Sequence, residues 1–197
     1  MARRNDHTRE ELMELALDNV SAFLEDQPHH NLSLRKVAGM IGYVPSTLIN
    51  VFGSYDLLLL AMVGKTLDML TSEAKEAMAA TSSPRAAIHA LAHCYLDFAR
   101  QNPYRWQLIF QHSMSGQALP DWQNRRISLL TDVLETQVRA LTNLDDAREV
   151  QTISRVLWAG VHGITLLAVD NKLFADDSLS GAALIDNLLD NYLARWN

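Results

Sequence analysis

Ser46, Thr47, Ile49 and Asn50 crowd into five positions of this chain, and their side chains are of the kinds that read nucleotide bases. A carboxamide such as Asn50 can pair twice with one adenine edge, hydroxyls such as Ser46 and Thr47 donate or accept, and Ile49 can pack on a thymine methyl. Arg35, shortly before them, is a further base or phosphate partner. A second set points to metal chemistry: His89 and His93 stand four apart with Cys94 adjacent, a spacing that can hold a soft metal. No second cluster of fixed ligand spacing accompanies them, so no metal site is assigned. His162 has no acid and nucleophile to work with, so it is read as a packed or pocket imidazole beside Trp158, and no catalytic residue is assigned.

The elements that must hold the first set are legible around it. Ser33 can cap a helix whose inner face is Leu34, Val37, Ala38 and Ile41. Gly42 ends that helix, and Pro45 opens a second that runs to about Phe52. Leu48, Val51 and Phe52 can turn inward, which leaves Ser46, Thr47, Ile49 and Asn50 outward. Two short helices about a tight glycine turn make a helix-turn-helix, whose second helix is the type that enters a major groove. Leu12, Leu15, Ala16, Val20, Phe23 and Leu24 predict an amphipathic helix before the pair, stopped by Gln27-Pro28, and a long helix follows from Tyr55 to about Ala80.

The line Gly42-Tyr43-Val44-Pro45-Ser46-Thr47-Leu48-Ile49-Asn50-Val51-Phe52-Gly53-Ser54-Tyr55-Asp56-Leu57-Leu58 resembles the motif Gly-Val-Ser-x-x-x-Leu-Tyr-x-His-Phe-x-Ser-Lys-x-x-Leu of the tetracycline-repressor (TetR) family of transcriptional regulators. Members usually place Tyr and His where this chain has Ile49 and Val51, and Lys where it has Tyr55. Those family side chains commonly touch phosphates, so the resemblance implies weaker DNA binding here, with Tyr55 left to give one hydroxyl bond to a phosphate. Val44 stands where a capping Ser is common, so the second helix has a weaker start. Trp158-Ala159-Gly160-Val161-His162-Gly163 is similar to a Trp-x-x-x-His-Gly signature of one TetR subgroup, and Asn102-Pro103-Tyr104 matches that subgroup's break before an aromatic helix. The resemblance implies a three-helix DNA-binding domain at 1–54, a ligand-binding and dimerisation bundle at 55–197, a homodimer on an inverted-repeat operator in double-stranded DNA, and a small apolar or amphipathic effector.

Composition agrees with an all-α chain of about nine helices. The 197 residues include eight glycines and five prolines, 48% are hydrophobic, and strand-like alternation is nearly absent. No secretion signal is visible, and no apolar run approaches about eighteen residues, so a cytoplasmic protein without a membrane partner is expected. The single cysteine, Cys94, excludes an intrachain disulfide. Charge runs mildly against a nucleic-acid role: the net charge is −6, and residues 1–55 carry five basic side chains against seven acidic ones. Arg3-Arg4 with Arg35-Lys36 can still form a local positive rim.

Beyond residue 55, aromatic and sulfur-bearing side chains gather: Tyr95, Phe98, Trp106, Phe110, Met114, Trp122 and Trp158, with His162. Together they can line an apolar cavity between helices, the usual form of a small-molecule site in a bundle. The last two helices carry broad apolar stripes, Val161 on one and Ile185, Leu188, Leu189 and Tyr192 on the other, which predict a two-fold dimer. Asp121, Asp145 and Ser178 are the expected starts of the final three helices. Two other functions stay open: a DNA-associated or partner-binding protein without effector gating, and a small all-α enzyme or carrier using the aromatic cavity with His162 or His93.

Overall fold

The computed structural model describes residues 7–173 and 179–196. Among these are nine α-helices: α1 Arg9–Asp26, α2 Leu34–Met40, α3 Pro45–Phe52, α4 Tyr55–Ala79, α5 Pro84–Gln101, α6 Pro103–Gln111, α7 Asp121–Thr142, α8 Ala147–Val169 and α9 Gly181–Leu193. No strand occurs among the described residues.

Local chemistry sets most of the helix ends. Thr8 and Glu11 form a reciprocal capping box at the start of α1, and Ser33 Oγ accepts from the Lys36 amide at 3.2 Å as expected. The α3 cap is Val44, whose side chain makes no bond, so that helix does start unsupported. Asp146 rather than Asp145 caps α8, and Ser180 caps α9, while the expected Ser178 lies outside the described residues. Gly42 and Gly53 close α2 and α3 with φ of +76° and +92°. A side chain at Gly53 would be strained by that backbone, and its Cβ would sit 3.1 Å from Leu57 Cδ1. Gly53→Ala is therefore expected to cost about 1–3 kcal/mol. Thermal denaturation followed by circular dichroism checks this, and an unchanged midpoint would mean that the α3–α4 turn is not held in this form.

The chain divides into two compact units, 7–66 with 102–123, and 67–101 with 124–196. This differs from the expected division after residue 54, because the first unit also takes the start of α4 and the whole of α6. The reason is visible at Arg105 on α6, nearly buried, whose guanidinium donates to Ser21 O at 2.9 Å and to Glu25 Oε1 at 2.8 Å, both on α1. In the same unit α1 crosses α2 and α3, burying Leu12, Ala16, Val20 and Leu24 with Val37, Ala38, Leu48 and Val51. The second unit packs α5, α8 and α9 around Ile88, Leu96, Ile153, Leu157, Ile185 and Leu189.

Two expectations fail here. By length and composition α8 is apolar enough to cross a membrane, contrary to the reading that no such run exists. Its apolar residues are accounted for by two faces, one buried at Val150, Ile153, Leu157 and Val161 and one exposed at Val156, Leu166 and Leu167. Three of the expected dimer residues, Val161, Ile185 and Leu189, are buried in the chain's own core. Leu188 is engaged as well, its Cδ2 lying only 2.6 Å from where a Cβ on Gly160 would stand. The stripe on α9 is broad enough to suggest an interface, but packing against α5 and α8 uses most of it.

Candidate nucleic-acid interface and cavity

The reading helix α3 is locked in place before any ligand arrives. Arg9, on the first turn of α1, donates to the Val51 carbonyl at 2.8 Å and 3.3 Å, and Leu48, Val51 and Phe52 are buried behind it. Ser46, Ile49 and Asn50 are exposed on the opposite face, with Thr47 and Pro45 half-buried beside them. Ile49 is 38% exposed and Val44, at the mouth of α3, is 61% exposed. With Met40 they leave apolar side chains in solvent around the polar ones, as contacts to thymine methyls require.

The charged surroundings are thinner than the sequence suggested. Arg35 is exposed, but Lys36 lies 4.3 Å over the Phe23 ring and its Nζ donates to Asn31 O at 3.3 Å. Arg3 and Arg4 lie outside the described residues. Tyr55 requires correction as a phosphate contact: its hydroxyl is buried without a hydrogen-bond partner among the described residues, and burial pushes its pKa up to about 12. The ring itself is half-buried, so where the family's Lys reaches a phosphate this position turns its polar end inward. A contact the sequence did not reveal is Tyr43, whose hydroxyl lies 2.7 Å from His7 Nδ1 and ties the segment before α1 to the α2–α3 turn. The two residues are 36 positions apart, beyond any local pattern.

A cavity of about 110 Å³ lies within the second unit, lined by residues of α4, α5, α7, α8 and α9. Its wall is mostly aliphatic, including Leu70, Ile88, Leu91, Ala92, Leu130, Leu134 and Leu189, and it meets the rings of Tyr95 and Trp158. Arg155 brings the one cation among the lining residues, paired to Glu135 at 3.1 Å. Tyr95 Oη lies 2.8 Å from His162 Nδ1, and His162 stacks on Trp158 with ring centroids 5.4 Å apart. Burial holds the His162 pKa below its ordinary value, which favours the uncharged ring beside the Tyr95 hydroxyl.

Of the eight aromatic and sulfur residues expected to share one cavity, the structure brings Tyr95, Trp158 and His162 together. Phe98 is buried but is not among the lining residues. Trp106, Phe110, Met114 and Trp122 belong to the other compact unit, where Trp106 is fully buried and packs edge-on against Phe110 at 5.3 Å. The aliphatic lining was missed because leucines and alanines at helical spacing look the same whether they fill a core or border a gap in it. Cys94 takes no part: burial, then the charges of Glu73, Asp97 and Glu76, push its thiol up to about 11, where it stays protonated.

Comparison with known proteins places this arrangement. A family model described as the tetracyclin repressor-like C-terminal domain matches residues 88–192. No curated protein matches the chain in sequence. Among solved structures, a protein of unknown function from Rhodococcus sp. RHA1 aligns with a TM-score of 0.77 at 22% identity, covering 99% of each chain. The TetR-family regulator PfmR from Thermus thermophilus aligns with a TM-score of 0.62 at 15% identity, over 91% of this chain and 97% of its own. AibR, solved in complex with isovaleryl coenzyme A and operator DNA, aligns with a TM-score of 0.61 at 13% identity, over 92% of this chain and 97% of its own. A domain match across more than half the sequence, on an all-α fold shared nearly end to end with these structures, shows that the chain belongs to the tetracyclin repressor-like (TetR) family.

Proposed function

We propose that this chain is a transcriptional repressor that acts as a homodimer on an inverted-repeat operator and is released by a small apolar or amphipathic effector. The observation that carries the reading is the α2–α3 pair: a helix held from behind by Arg9 and three buried side chains, with Ser46, Ile49 and Asn50 exposed on its front. Phosphate contacts set affinity and salt dependence, whereas base contacts set selectivity. With Tyr55 turned inward and Lys36 engaged, this protein binds DNA weakly for its type while retaining a selective face. A regulator of this kind works in the cytoplasm, where the DNA is. The Trp-x-x-x-His-Gly segment supports membership of the subgroup that carries that signature. Selection of bound fragments from random DNA tests the reading: enrichment of an inverted repeat supports it, and no enrichment over input would overturn it.

Effector binding is assigned to the cavity of the second unit. Aliphatic walls favour a short hydrocarbon group, Tyr95 with neutral His162 supplies hydrogen bonding, and Arg155 can exchange Glu135 for a carboxylate on the ligand. AibR, whose structure holds an acyl thioester, gives a related protein an acyl-bearing ligand. Short-chain carboxylic acids are therefore the first probes: a member that fits is expected to raise the melting temperature and weaken operator binding. Ala92→Phe, which fills the cavity from α5, is expected to abolish that release and to keep operator binding. Release surviving in Ala92→Phe at the same ligand concentration would move the effector site elsewhere.

A further inference from the structure

The histidine pair that lacked a partner in the sequence has one in the fold. On α5, His89 and His93 lie four residues apart, and on the packed helix α9 Asp186 and Asp190 do the same. The two pairs face each other in register. His93 Nε2 lies 2.7 Å from Asp186 Oδ1, His89 Nδ1 lies 3.2 Å from that same oxygen, and His89 Nε2 lies 3.3 Å from Asp190 Oδ1. One ligand atom from each of His89, His93 and Asp186 falls within 4.8 Å of the others.

We propose that His89, His93 and Asp186 form a binding site for a divalent transition-metal ion of the zinc class, bridging α5 and α9. The geometry supports it. His93 Nε2 and His89 Nδ1 converge on the same carboxylate oxygen, Asp186 Oδ1, at 2.7 Å and 3.2 Å. Metal bonds of about 2.0–2.2 Å in a tetrahedral site set neighbouring ligand atoms a little over 3 Å apart, so an ion can replace the protons these three groups share with only small side-chain shifts. Asp190 behind His89 repeats the carboxylate–imidazole–metal arrangement that orients a metal-bound histidine. Two imidazoles and a carboxylate select zinc-like ions over magnesium or calcium, which take mainly oxygen. The side chains are 23% (His89), 35% (His93) and 46% (Asp186) exposed, so an ion can enter from solvent and complete its coordination with water. An ion there fastens together two helices that also carry Ile88, Ala92 and Leu189 of the cavity wall.

The test is titration of the chelator-treated full chain with Zn²⁺ by calorimetry and with Co²⁺ by visible absorption. The expected result is one Zn²⁺ per chain with micromolar or tighter affinity, a Co²⁺ spectrum of four- or five-coordinate nitrogen and oxygen ligation, and a midpoint raised by about 5–10 °C at roughly a hundred times Kd. Asp186→Asn and His93→Gln should each weaken binding at least about a hundredfold, and Asp190→Asn by about 10–100-fold. His30→Gln, at an exposed histidine away from this cluster, should leave it unchanged. The proposal is overturned if the unaltered chain takes up no stoichiometric ion at 100-fold excess over about 1 µM protein, or if binding survives both Asp186→Asn and His93→Gln. Because the unaltered chain alone can give a negative answer, the outcome does not depend on the variants folding.

Discussion

Gly163→Arg is expected to give a folded monomer that has lost operator binding. Gly163 faces open space, with nothing beyond its chain neighbours and its own helix backbone within 4 Å of where its Cβ would stand, so one subunit accepts a side chain there without rearrangement. Arg is also a better helix former than Gly by nearly 1 kcal/mol, so α8 itself should not weaken. Around this position lie Val156, Leu166 and Leu167, 48%, 41% and 43% exposed, with exposed Ala159. An apolar strip of this kind on α8 is the surface we infer to meet its copy across a two-fold axis. In such a dimer two arginines would enter the contact, one from each subunit, and both would lose their hydration without a partner. One half-site holds only one reading helix, so losing the second should weaken operator binding on the order of a hundredfold or more. Sedimentation at micromolar concentration and a gel-shift titration check both halves. A variant that remains dimeric would place the interface elsewhere, and Gly163→Ala, which adds one methyl group, should keep the dimer.

The second large effect is expected at Asn50. It is exposed on a helix whose other face is fixed by Arg9 and the buried Leu48 and Val51, so its carboxamide can meet a base edge without moving the backbone. Asn50→Ala removes a bidentate pair and should cost about 1–3 kcal/mol on the selected operator, roughly a 5- to 150-fold loss, with little change on random DNA. Ile49→Ala should lose less, since it gives up only apolar contact. Equal losses on both DNAs, or none on either, would show that α3 does not read sequence through Asn50. The salt dependence of operator binding is a further check on the same surface. With Tyr55 in place of a cation, its hydroxyl turned inward, and Lys36 laid on Phe23, fewer cations displace counterions, and the slope of affinity against salt should be shallow.

What could be read from the residues alone was whatever depends on neighbours four or five positions away. Ser33, Gly42, Pro45 and Gly53 set the helix-turn-helix through capping and backbone conformation, and these act within one turn. The nine helices follow from the same local rules and from apolar periodicity. Periodicity shows that a helix has an apolar face, but it does not name the partner for that face. For that reason Ile185 and Leu189 read as an interface and lie in the core, while Val156 and Leu166, outside the stripe that the sequence marks on α8, stand exposed. Gly160 and Gly163 look alike in the sequence. Only the crossing of α9 over α8 puts Leu188 against the first and leaves the second open. Tertiary packing also decided that the Tyr55 hydroxyl is buried, that Trp106 and Trp158 belong to different units, and that His93 meets Asp186 across 93 residues of chain. These outcomes depend on the register in which distant helices cross, which follows from how all their side chains fit together at once and from no single segment.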